Sequence, residues 1–111
     1  MKKIWGFVLV LGMVLIGSLV SAADLYVPGS YTTIQAAVDV AITGDTIYVS
    51  AGIYTEAVYV NKGIALVGIG TPTISGNEVT FDSTNADNAS ISGFKITGAT
   101  SGKISGNIIW V

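Results

Sequence analysis

The chain has 111 residues, with five lysines against seven acidic residues for a formal charge of −2, and it contains no histidine, arginine or cysteine. These absences exclude disulfide bracing, histidine-based acid–base or metal chemistry, and the clustered cations that a nucleic-acid phosphate backbone demands. Half of the residues are hydrophobic, which suffices for one small packed domain after the apolar N-terminal run is set aside.

Met1, Lys2 and Lys3 make a positive start, Ile4 to Val20 is apolar, and Ser21, Ala22 and Ala23 are small. That three-part layout predicts a secretory signal over residues 1–23, with cleavage after Ala22 or Ala23 fitting equally well. An uncleaved anchor is the alternative, because the apolar run lies at the lower edge of what crosses a bilayer. The product is therefore expected to be secreted or held at the cell surface, or periplasmic in a Gram-negative cell. Residues 24–111 would form the folded part. Its charged residues are Lys62, Lys95 and Lys103 against Asp24, Asp39, Asp45, Glu56, Glu78, Asp82 and Asp87, a sparse acidic surface.

Leu25 to Val27 reads as a short strand stopped by Pro28 and Gly29. Thr32 to Gln35 matches a capping box, with Thr33 as the competing cap. Ile34, Ala37, Val38 and Ala41 then fall on one stripe of a short helix, with Asp39 on the outer side and Gly44 placed to end it. After Asp45 the period changes to two. Ile47 and Val49, Val58 and Val60, Ile64 and Leu66, and Val79 and Phe81 each flank one residue of the opposite face. The intervening Ala51-Gly52, Asn61-Lys62-Gly63, Gly68-Ile69-Gly70 and Ser75-Gly76-Asn77 are turn chemistry. Strands so short and closely spaced exclude βαβ units, which need crossover helices.

Ile91-Ser92-Gly93-Phe94-Lys95-Ile96 and Ile104-Ser105-Gly106-Asn107-Ile108-Ile109 share an I-S-G-x-x-I pattern thirteen residues apart. Repetition favours stacked coils over a sandwich. Thirteen residues fall short of a full coil of roughly 20, so the two segments are candidates for different strands of neighbouring coils. The expected fold is all-β: a parallel β-solenoid whose N-terminal helix covers the open end of the first coil.

The run from Thr33 to Gly70 carries a resemblance. Its capping threonines, Gln35-Ala36-Ala37-Val38, Gly44-Asp45-Thr46-Ile47-Tyr48-Val49, Ala51-Gly52-Ile53-Tyr54, Val58-Tyr59-Val60 and Ile64-Ala65-Leu66-Val67-Gly68 resemble the N-terminal cap and first coils of the pectin lyase-like superfamily. Pectin methylesterases open similarly, as do many exported repeat proteins of bacteria and archaea, including periplasmic ones associated with copper enzymes. The resemblance implies a right-handed parallel β-helix. In enzymes of that kind the working aspartates, arginine and glutamines lie on later coils. This chain has no arginine, so no catalytic residue is carried over. Copper ligation would need histidine or methionine, and both methionines, Met1 and Met13, stand in the leader. No cofactor or metal is expected.

Four further groups bear on function. Asp82-Ser83-Thr84-Asn85-Ala86-Asp87-Asn88 is the densest polar run; it follows no calcium-loop order and reads as a solvated turn. Asn88-Ala89-Ser90 is a glycosylation sequon. Tyr26, Tyr31, Tyr48, Tyr54 and Tyr59 lie in the first half of the folded part; exposed together they would stack on sugars, but filling gaps around cap and first coil is the simpler expectation. Asn107 is placed to ladder its amide with a neighbouring coil. The chain finishes on apolar Ile108-Ile109-Trp110-Val111. An uncapped coil exposes core and strand edge, so further chain or self-association is expected there.

The functional expectation is an exported structural or surface-binding module, with cell-envelope polysaccharide or a surface protein as partner. The alternative is the N-terminal fragment of a carbohydrate-active esterase or lyase with its active site on later coils.

Overall fold

The computed structural model describes residues 22–82, 84–98, 100–102 and 108–110. The leader through Ser21, Ser83, Asn107 and Val111, with the expectations placed on them, lie outside the described residues. The strands are β1 (Asp24–Val27), β2 (Thr46–Ser50), β3 (Ile53–Tyr54), β4 (Val58–Val60), β5 (Ala65–Ile69), β6 (Thr73–Ile74), β7 (Val79–Phe81), β8 (Ser90–Ser92), β9 (Phe94–Ile96), β10 (Thr100–Gly102) and β11 (Ile108–Trp110), with one helix, α1 (Ile34–Val40). They build three sheets, in the orders β1-β2-β5-β8, β10-β7-β4 and β11-β9-β6-β3, with every pair parallel. Three successive turns, β2–β4, β5–β7 and β8–β10, each give one short strand to each sheet, whereas the first turn gives β1 and then α1. The result is a parallel β-solenoid of about three turns, as the recurrence of short strands predicted.

The alternation decides what faces inward. Leu25, Ile47, Leu66 and Ile91 lie opposite one another across successive strands, and all four are buried. Val58 and Val79, Val60 and Phe81, and Ile74 and Ile96 make the matching inward pairs on the other two sheets. Burying each such side chain contributes about 1.5–3 kcal/mol. Coil length is set by these rows: Leu25 to Ile47 spans 22 residues, Ile47 to Leu66 19, and Leu66 to Ile91 25. Ile108 sits opposite Phe94, fourteen residues earlier. Phe94–Ile96 and Ile108–Trp110 are therefore neighbouring strands of one sheet, the same position in successive coils and not the different strands that the short spacing suggested.

One close approach requires glycine on two adjacent coils. A Cβ on Gly93 would lie 2.6 Å from the Gly68 carbonyl oxygen, and one on Gly68 would lie 2.5 Å from that of Gly93. Gly93 also has φ +76°, where side-chain-bearing residues are strained.

Helix α1 packs on β1, β2 and β4, with Ile34, Ala37, Val38 and Ala41 buried as its periodicity predicted. Of the two candidate N-caps the second is used, and the expected stop at Gly44 is not. Thr33 is the N-cap, its hydroxyl accepting from the Ala36 amide at 3.1 Å, and the capping box from Thr32 does not form. Gln35 turns instead to the next coil, where its side chain accepts from the Tyr59 amide at 2.7 Å and donates to the Tyr59 carbonyl at 3.1 Å. The helix ends at Val40, with Ala41 extended. Gly44, at φ +100°, serves the following turn, which the Asp45 amide closes on the Ile42 carbonyl at 3.0 Å.

Two charges of the second coil hold the helix by its ends. Glu56 accepts from the amides of Ile34 and Gln35, both at 2.9 Å. The Lys62 ammonium donates to the carbonyls of Val38 at 2.9 Å, Asp39 at 3.3 Å and Ala41 at 2.7 Å. An anion at the N-terminus and a cation at the C-terminus both match the sign of the helix dipole and satisfy groups the helix itself leaves unpaired. For a helix of seven residues, too short to be stable alone, this clamp and the buried stripe supply the order.

Candidate functional site

Strand alternation that buries Leu25, Ile47 and Leu66 sends their neighbours outward. Tyr26 lies directly opposite Tyr48, and the row continues through Val67 to Ser92. The two tyrosine rings stack with centroids 5.5 Å apart and planes at 18°. Adjacent strands are about 4.8 Å apart, so the stack follows from register. Tyr26 is half exposed, at 51%. Asp24, Tyr26, Tyr48, Ser50 and Ile69 together line a hollow of about 340 Å³ on this face. Ile69, which lies beside Ser50, is also exposed. The hollow thus combines apolar ring and aliphatic surface with a carboxylate and hydroxyls.

The five tyrosines divide. Tyr31 and Tyr54 pack against the core, as gap-filling predicted, and the Tyr54 hydroxyl donates to the Ser50 carbonyl at 2.8 Å. Burial, reinforced by the Glu56 charge, raises the Tyr54 pKa. Tyr59 is exposed yet structural: its hydroxyl donates to Asp82 at 2.9 Å, which raises its own pKa. Tyr26, exposed, and Tyr48, partly buried, form the outward stacked pair. Their pairing was readable from Leu25-Tyr26-Val27 and Ile47-Tyr48-Val49, two copies of one inward-outward-inward triplet, had the triplets been aligned as successive coils.

The Asp82 run is a turn, as expected. One Asp82 oxygen accepts from the amides of Thr84 at 2.8 Å and Asn85 at 3.2 Å; the other accepts from the Asn85 side chain at 3.0 Å and from Tyr59. These donors, the Thr84 amide foremost, lower the Asp82 pKa to about 2. Ala86 and Ala89 anchor the loop in the core. Asn88 stands exposed between them with φ +68°. Among the described residues no three acidic side chains converge as a metal site.

Comparison with models of protein families, with curated proteins and with solved structures finds no match for this chain.

Proposed function

We propose that the chain is an exported surface module that binds neutral polysaccharide through the outer face of β1, β2 and β5. The observation carrying this reading is the stacked Tyr26–Tyr48 pair beside a hollow that also holds Asp24, Ser50 and Ile69. Aromatic and aliphatic surface matches the C–H faces of a sugar ring, while carboxylate and hydroxyl groups accept or donate to its hydroxyls. The acidic balance of the folded part and the carboxylate at the hollow favour an uncharged glycan over a polyuronate. The same proposal includes kinship with right-handed, pectin lyase-like β-helices, and a location outside the cytoplasm follows from the leader-like N-terminus.

Affinity electrophoresis against soluble neutral glucans, mannans and xylans tests it. Retardation by at least one of them, abolished in the Tyr26→Ala/Tyr48→Ala variant with an unchanged circular dichroism spectrum, is the expected result. Equal mobility of parent and variant in every polysaccharide would refute the binding face.

A further inference from the structure

Asp45 is the buried charged residue of the described chain, 4% exposed. One carboxylate oxygen accepts from the Ile42 amide at 2.9 Å, closing the turn after α1, and the other accepts from the Ala23 amide at 2.8 Å. Ala23 is in turn fixed by its carbonyl, which accepts from the Thr46 amide at 3.0 Å. Among the described residues these two neutral amides are the carboxylate's partners. Holding a buried carboxylate on neutral donors alone is costly, and a cation at the same distance would offset that cost.

Ala23 lies at the small-residue junction where the sequence permits cleavage after Ala22 or after Ala23. The two cuts have opposite consequences for Asp45. Hydrolysis of the Ala22–Ala23 amide adds water across the bond: the leader departs with the Ala22 carboxylate, and the released Ala23 amine takes up a proton. The resulting ammonium already stands 2.8 Å from the Asp45 oxygen, within the range of a charge-assisted hydrogen bond. A cut one residue later removes that donor. The amine of Asp24 cannot replace it, because successive N–H groups of a strand point to opposite edges; the Ala23 N–H faces β2, so the one after it faces the free edge.

We propose that the mature chain begins at Ala23 and that Asp45 is the receptor for its α-ammonium, a built-in ion pair completed only by export. The proposal rests on the exported reading. Expressing the 111-residue chain in an exporting host, then measuring the intact mass and N-terminal sequence of the released protein, separates the two. A start at Ala23 is expected. A start at Asp24 or elsewhere overturns the inference while leaving export standing, and an uncleaved product overturns both.

The pairing is tested on the processed protein by competitive acetylation of the α-amine. A roughly ten-fold slower reaction in the folded protein than in urea is expected, corresponding to about one pH unit of stabilisation of the charged form. Reaction at the unfolded rate would show that Asp45 does not hold the terminus.

Discussion

The two faces of strand β2 share a backbone and a register, yet they follow different rules from coil to coil. Inward, Leu25, Ile47, Leu66 and Ile91 keep one character through four strands, because each must seal the interior against its neighbours. Outward, the row one residue along changes from Tyr26 and Tyr48 to Val67 and Ser92. Solvent imposes no such uniformity, so the outer surface is free to differ between coils. The aromatic pair is confined to the first two strands of the sheet. It sits at the same end as the clamped helix, which packs on β1 and β2.

The sharpest way to break the comparison is Ile47→Asp. It places an unpaired charge in the interior row and is expected to cost more than about 5 kcal/mol, abolishing the folded circular dichroism signal. Asp39→Asn, on the outer side of α1, is the control and should change stability by less than about 0.5 kcal/mol, since its contact is an exposed one with Gln35 at 2.9 Å. Equal melting temperatures for the two variants would show that the inward phase is misassigned.

Gly93→Ala tests whether coil-to-coil contact, rather than side-chain burial alone, limits the stack. Positive φ and the approach to Gly68 act together, and a loss of about 3 kcal/mol in urea denaturation is expected. Glu56→Gln should cost about 1–2 kcal/mol, because one of the two helix amides would face an NH₂ group instead of a carboxylate oxygen. A parent-like urea midpoint for that variant would remove the clamp from the account of the cap.

The smallest expected effect is acid dependence at Asp82. Its folded pKa of about 2 lies below the ordinary 3.8, so its hydrogen bonds contribute fully above about pH 4. That contribution is lost as pH falls from there through about 2. A carboxyl carbon titration followed by NMR should place the midpoint near the lower value, and Tyr59→Phe, which deletes one donor, should move it upward.

Much of the scaffold was legible in the sequence. Ile34, Ala37, Val38 and Ala41 fix a helical face, and the alternation around Ile47, Leu66, Val79 and Phe81 fixes strand phase, because inward burial depends on residue spacing alone. The cap details were less legible. Thr32 and Thr33 offer the same local chemistry, and the choice fell to Thr33 once Gln35 was engaged by Tyr59, 24 residues away. Glu56 and Lys62 show the same limit more strongly: Lys62 stands in what reads as turn sequence and Glu56 between the predicted strands, and only coil closure brings one to each end of the helix.

The exposed site divides along this line too. That Tyr26 and Tyr48 project from the face opposite the core was determined by the sequence, since side chains alternate along any strand. That they stack on each other, beside Asp24, Ser50 and Ile69, was decided by tertiary structure. Local spacing fixes which way a side chain points, whereas coil length fixes which residue it meets, and coil length is set only when the interior rows lock together.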